Sequence, residues 1–226
     1  MFVDALIPAR GGSRRLPGKH LLELEGRPLL DWTLQPALNC GLFRRVTLST
    51  DDPALRDLGQ AAGTDYFPLR PAQLAADDST SVDVLWHYLQ WLREEYLDLP
   101  DWVMLLQPTS PFRSAAHLQE ACRLAETGDH DVVSLGPVDK PLAWCRTLAD
   151  GRACAWACPT PAPTWRLNGA IYLTHVKRFL TEGTLLPENP LALRMADWES
   201  VDIDTSFDLM LARAVARQHH PVEVTA

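Results

Sequence analysis

Four cations, Arg10, Arg14, Arg15 and Lys19, fall within residues 10–19 around the adjacent glycines Gly11 and Gly12, with no acid among them. The chain as a whole carries a formal net charge of −8. Local positive charge on an acidic background reads as an anion site, the plain alternative being a solvated basic loop. Two familiar glycine-loop chemistries fail on spacing. A phosphate-binding P-loop needs G-x-x-x-x-G-K-[ST], but five residues separate Gly12 from Gly18, and His20 follows Lys19 where a hydroxyl is required. The dinucleotide fingerprint G-x-G-x-x-G fails because Gly11 and Gly12 are neighbours. What remains is a pair of glycines that lets the main chain approach an anion, while Arg10, Arg14 and Lys19 direct charge at several phosphate oxygens. Such a set suits a triphosphate better than a lone carboxylate.

A second chemical signal lies near the other end, in "SVDID" at residues 200–204. If this stretch is a strand, Asp202 and Asp204 share one face and Val201 and Ile203 the other. Two adjacent carboxylates repel, and a hard cation such as magnesium, which takes oxygen ligands and pairs with phosphates, offsets that repulsion. The alternative is a solvated strand end at which Asp204 or Thr205 caps a helix; Thr205 and Asp208 have capping-box spacing, and Asp208 is read as the cap.

The elements that must position these groups alternate between apolar runs of strand length and stretches of helical period, as in an α/β protein with a mainly parallel sheet. "FVDALIP" is a first strand that delivers the basic loop to its carboxyl end, where open α/β sheets bind ligands. "PLLDWTLQPALNC" reads as a helix opened by Pro28, with Pro36 inside it. "RRVTLST" is a strand, after which Asp52 and Pro53 start another helix. A longer helix is expected from about Ser79 to Tyr96, with Val82, Leu85, Trp86, Leu89 and Leu92 on one face and Thr80 and Asp83 as a capping box. "DWVMLLQ" is a strand buried on both faces, followed by "PTSPFR", a helix over "AAHLQEACRLAE" and the strand "DVVSLGPV". Residues 139–167 change character, with short strands, an Asp150-Gly151 turn and tryptophans at 144, 156 and 165. This is an antiparallel excursion from the sheet whose aromatic surface suits a subunit contact, so a homodimer is expected. "NGAIYLT" returns to the sheet, and a strand and helix end the fold.

With 226 residues, 46% of them hydrophobic, the chain fits one domain, 1–226, with a substantial core. No apolar run reaches the roughly 18 residues of a membrane span. The acidic balance argues against nucleic acid and anionic membrane as partners. "MFVDALIP" lacks a basic n-region and carries Asp4, so it reads as a strand rather than a signal, and a cytoplasmic location is expected. Cys40, Cys122, Cys145, Cys154 and Cys158 are read as reduced thiols.

Taken together and in order, "IPARGGS" with its following proline and lysine, "LLQPTSPFR", and "RLNGAIY" with the later "SVDIDT" resemble the acylneuraminate cytidylyltransferases, or CMP-sialic acid synthetases. "STDD" and "RPAQLAADDSTSVDV" fit the same pattern, and the likeness runs from about residue 3 to residue 215. It implies a three-layer, Rossmann-like nucleotide-diphospho-sugar transferase fold. The implied reaction joins CTP to an eight- or nine-carbon 2-keto sugar acid, with Mg2+ as cofactor, giving a CMP-sugar and pyrophosphate. On this resemblance Arg10, Ser13, Arg14 and Lys19 hold the CTP phosphates, and Arg70, Ser79 and Ser81 read cytosine and ribose. Gln107, Asn168 and Tyr172 line the sugar-acid site, and Asp202 and Asp204 hold magnesium. The excursion of a dimer brings Lys140 or Arg166 to the neighbouring sugar site. The sequence departs from the family at Arg15, Gly18 and His20; "RLPGK" is nearer to the CMP-Kdo synthetases, while "LLQPTSPFR" and "NGAIY" favour the sialic-acid branch. Sialic, legionaminic and pseudaminic acids all stay open as acceptors. Two other readings stand beside this one: a nucleotidyltransferase for another acceptor, and a nucleotide-binding regulatory protein without turnover.

Overall fold

A computed structural model describes residues 1–128, 130–138, 146–149, 152–155 and 164–219, with the backbone alone for the two short segments. Lys140 and the Asp150-Gly151 turn lie outside the described residues. In chain order the elements are β1 (Val3–Pro8), a small hairpin of β2 (Glu23–Leu24) and β3 (Arg27–Pro28), α1 (Asp31–Asn39), β4 (Phe43–Ser49), α2 (Pro53–Ala62), α3 (Ser81–Glu95), β5 (Trp102–Leu105) and α4 (Ala115–Glu126). Then come β6 (Val132–Pro137), β7 (Arg146–Ala149), β8 (Arg152–Ala155), β9 (Trp165–His175), α5 (Val176–Glu182), β10 (Leu191–Arg194) and α6 (Ser206–His219).

The central sheet has the order β10-β6-β9-β5-β1-β4. Parallel pairing joins β1 to β4 and β5, and β6 to β10, while β9 runs antiparallel between β5 and β6. Burial on both faces explains the unbroken apolar runs. In β1, Val3, Ala5 and Ile7 face one cluster with α1, α2 and α4, and Leu6 faces another with α3 and α5. In β5, Trp102 and Met104 take the first side and Val103 and Leu105 the second. A third cluster of Leu24, Leu29, Trp32, Phe112, Ile203 and Leu209 docks the small hairpin and α6 beside the carboxyl ends of the strands. Among the described residues no helix is long and apolar enough to cross a membrane.

Three local expectations change. Pro28 does not open a helix: it pairs with Glu23 across the small hairpin, and α1 begins at Asp31. The buried face of α3 comprises Val84, Leu85, Tyr88, Leu89 and Leu92, rotated from the expected stripe, so that Trp86 is 40% exposed and packs against Phe179. The rotation is possible because the Tyr88 hydroxyl donates to the buried Asp4 carboxylate at 3.1 Å, which satisfies its polar tip in the core. Finally, residues 201–204 form no strand; they are irregular backbone held by the Ile203 amide, which donates to the Thr109 carbonyl at 2.8 Å. Ile203 is still fully buried.

Candidate active site

A cleft of about 270 Å3 opens at the carboxyl ends of β1 and β5. Its lining draws together Arg10, Lys19, Arg70, Ser79, Ser81, Gln107, Asp202 and Asp204, with His20 and Thr109, from five separate stretches of the chain. Each stretch is fixed by local chemistry. The main chain turns at Gly18, whose φ of 65° is in the left-handed region glycine tolerates, and this starts the short turn carrying Lys19 and His20. Thr80 caps α3 in a full capping box with Asp83, which places Ser79 and Ser81 at the cleft wall. Asp208 Oδ2 accepts from the amides of Asp204 and Thr205, so it serves as the α6 cap and holds the Asp202–Asp204 segment in place.

The cleft's charges are arranged in bridges. Asp204 accepts from Arg15 Nη2 at 2.5 Å and from Lys19 Nζ at 3.0 Å. Asp77, which does not line the cleft, receives Arg10 at 3.0 Å and Arg14 on its other oxygen. Arg15, a departure from the family pattern, is thus the neighbour of one of the two paired carboxylates. Asp202 is open to solvent, yet the flanking protein desolvates it and the Asp204 charge adds to this, which holds its carboxyl above the ordinary range against the pull of Thr109, Lys19 and Arg166. Arg70 is 7% exposed; it donates to the Ser49 carbonyl at 2.6 Å and to Ser49 Oγ at 3.2 Å, and burial draws its guanidinium down to about 10. His20 is 5% exposed, and its buried Nδ1 has no hydrogen-bond partner among the described residues. Burial first, then the Lys19, Arg70 and Arg10 charges, lower its pKa to about 3, so the ring is neutral near pH 7.

Other expected residues lie differently. The Gly11 amide donates to Asp51 Oδ1 at 2.9 Å, and a Cβ there would meet Asp52 at 2.9 Å, so this glycine serves a close approach of two loops; Gly12 borders open space. Ser13 and Arg14 sit at the outer edge, beside the lining rather than in it. Asn168 is 2% exposed with its amide fully engaged: Oδ1 accepts from Ser134 Oγ at 2.6 Å, and Nδ2 donates to Ser200 Oγ at 3.0 Å. It acts as a tie between β6, β9 and the segment leading to Asp202, and its side chain is not free for a sugar. Tyr172 is half-buried against the α3–α5 cluster, where burial and the Asp202 charge raise its phenol. Arg166 donates to the Ser200 carbonyl at 2.8 Å and lines a second cavity, which shares Asp202 with the cleft.

Sequence reasoning did not single out Arg113, Thr109 or Asp77. Arg113 is 2% exposed and donates to the carbonyls of Ser110 and Gln107 and to Thr33 Oγ1, which ties the "QPTSPFR" turn beneath Gln107. The quoted motif contained Arg113 and Thr109, but only the packing distinguishes their tasks.

The arrangement can bind a polyanion along its cations, and its hard oxygen donors suit a magnesium ion. Among the described residues no third His, Cys, Asp or Glu joins the Asp202–Asp204 pair.

A family model described as Cytidylyltransferase matches residues 5–140. The chain is 33% identical over 226 residues to the CMP-N,N'-diacetyllegionaminic acid synthase of Legionella pneumophila, covering 93% of this chain and 94% of that protein. It is 32% identical to the N-acylneuraminate cytidylyltransferases of Escherichia coli and Streptococcus agalactiae, covering 96% and 91% of this chain. Of these two relatives it spans only 52% and 51%, about half of their length. Among solved structures it resembles CMP:2-keto-3-deoxy-manno-octonic acid synthetase complexed with CTP, with a TM-score of 0.69 at 20% identity over 96% of this chain and 99% of that one. It also resembles 4-diphosphocytidyl-2C-methyl-D-erythritol synthase, with a TM-score of 0.73 at 14% identity over 95% and 97%. At such identities these two structures show the shared fold.

Proposed function

The chain belongs to the cytidylyltransferase family, and from that premise we propose that it transfers CMP from CTP to the anomeric hydroxyl of an eight- or nine-carbon, sialic-acid-like 2-keto sugar acid. The observation that carries this reading is the convergence of Arg10 and Lys19 with Asp202 and Asp204 in one cleft that Ser79, Ser81 and Arg70 also line. Arg10, Arg14 and Lys19 bind the phosphates, and the wall formed by Arg70, Ser79 and Ser81 takes the nucleoside. The sugar acid approaches past Gln107 and from the Asp202 side, where Arg166 supplies positive charge to its carboxylate.

In the reaction the anomeric hydroxyl oxygen attacks the α-phosphorus as the bond to the departing pyrophosphate breaks on the opposite side, and the hydroxyl proton passes to solvent water. Lys19 and Arg10 stabilise the charge that builds on the phosphate oxygens, so positioning and electrostatics supply most of the acceleration. Mg2+, held by Asp202 and Asp204, would add charge neutralisation at the phosphates. His20 takes no proton near neutral pH, since its pKa lies at about 3.

The reading includes a homodimer in the cytoplasm. Trp165 and Leu167 on β9 are 36% and 41% exposed, which supports a subunit contact. Among the described residues Cys40 and Cys122 are free thiols, and burial pushes the Cys122 thiol to about 12.

Mass spectrometry of products from CTP, Mg2+ and a panel of eight- and nine-carbon 2-keto acids tests the proposal. A CMP-sugar should form with one class of acid and be lost, by about a hundredfold or more, in Asp202→Ala and Asp204→Ala. Undiminished turnover in both variants would refute the metal assignment, and calorimetric preference for GTP over CTP would refute the cytidine assignment.

A further inference from the structure

Asp77 lies outside the Asp202–Asp204 pair, yet it occupies two of the cations assigned to phosphate. Its Oδ1 accepts from Arg10 Nη1 at 3.0 Å, its Oδ2 meets Arg14, and Arg10 Nη1 also reaches the Ala76 carbonyl at 3.2 Å. A carboxylate that engages two guanidiniums through its two oxygens offers the same charge-assisted contacts as a phosphate group. Its place in the chain adds a second condition. Asp77 sits on the segment that begins at Arg70, anchored by the Arg70 amide donating to the Thr50 carbonyl at 2.7 Å, and ends at Ser79 and Ser81. One segment therefore carries both the internal carboxylate and the wall assigned to the nucleoside.

We propose that Asp77 is an internal competitor that holds Arg10 and Arg14 and must be displaced by any incoming phosphate, so that it lowers the affinity of the cleft for nucleotide and bare polyphosphate alike. The inference rests on the reading that this cleft binds a nucleoside triphosphate. Inorganic tripolyphosphate must break both Asp77 pairs and recovers only equivalent contacts to the same arginines. A nucleotide breaks the same pairs and gains the Arg70, Ser79 and Ser81 wall as well. The cost of breaking the internal pairs is thus common to both ligands and lowers the affinity of each by the same factor, while the wall alone separates them. The side chains of Arg10, Arg14 and Asp77 are 34%, 83% and 40% exposed, and ion pairs this exposed are individually weak. Removing the competitor is therefore expected to change affinity by about three- to tenfold rather than by orders of magnitude.

The test is calorimetric titration of the full chain with sodium tripolyphosphate and, separately, with CTP, for the wild type, Asp77→Asn and Asp77→Ala, with thermal melts to establish folding. Both variants should bind tripolyphosphate and CTP about three- to tenfold more tightly than the wild type, with the ratio of the two affinities unchanged. Raising the salt should shrink the difference. Unchanged or weaker tripolyphosphate binding in the folded variants, or no tripolyphosphate binding by any of the proteins, overturns the proposal. Failure of the wild type to bind CTP would instead remove the nucleotide reading, while the tripolyphosphate comparison would still decide whether Asp77 competes for the arginines.

Discussion

His20 should make the stability of this protein fall steeply in mild acid. Its imidazole is 5% exposed beside Lys19, and burial together with the Lys19, Arg70 and Arg10 charges moves its pKa from 6.5 to about 3. In the unfolded chain the same group protonates as the pH falls through about 6.5. Between roughly pH 6.5 and pH 3 the unfolded state therefore binds a proton that the folded state does not, and stability is lost as pH falls across that window. At pH 5 the unfolded imidazole is about 1.5 pH units below its midpoint, and each unit is worth about 1.4 kcal/mol, so His20 alone removes about 2 kcal/mol between pH 7 and pH 5. Urea unfolding of the wild type and His20→Gln at both pH values isolates this contribution. Other groups that titrate in the range, including His87 and His117, which burial also lowers, act equally in both proteins and cancel. The variant should lose about 2 kcal/mol less than the wild type. Equal losses in the two proteins would refute the reasoning, as would a His20 ring resonance that titrates near pH 6.

Two further substitutions separate packing roles from ligand roles. Gly169 has φ of 76°, and a Cβ there would stand 2.3 Å from Gln107 Oε1, so Gly169→Ala should cost about 1–3 kcal/mol in unfolding free energy and displace Gln107. Steady-state kinetics should then show KM for the sugar acid rising more than KM for CTP. Asn168→Ala leaves Ser134 and Ser200 without their amide partner inside the protein and should destabilise by about 2–3 kcal/mol, read as a lower Tm. At temperatures where this variant is folded, its KM values should stay close to those of the wild type.

Much of the fold is legible because its signals are local. The Thr80–Asp83 capping box, the Asp52-Pro53 helix start and the doubly buried run at Trp102–Leu105 depend on residues a few positions apart. Places where the sequence misleads involve contacts from elsewhere in the chain. Tyr88 enters the core because Asp4, 84 positions away, satisfies its hydroxyl, and Trp86 moves to the rim as a result. Asn168 reads as a ligand residue in "RLNGAIY", but Ser134 and Ser200 use both ends of its amide.

By itself the sequence determined that this is an α/β chain with a basic glycine loop at its first strand and a carboxylate pair near its end. Hydrophobic period, caps and clustered charge are all written in neighbouring residues. Tertiary structure alone decided how those charges meet. It brought Arg15 to Asp204 across 189 positions and set Arg10 and Arg14 on Asp77. It also sealed His20 among cations until the ring lost its ordinary basicity. Electrostatic energy and desolvation depend on distance in space and on exclusion of water, and here both follow from the strand order β10-β6-β9-β5-β1-β4, which no local pattern of residues encodes.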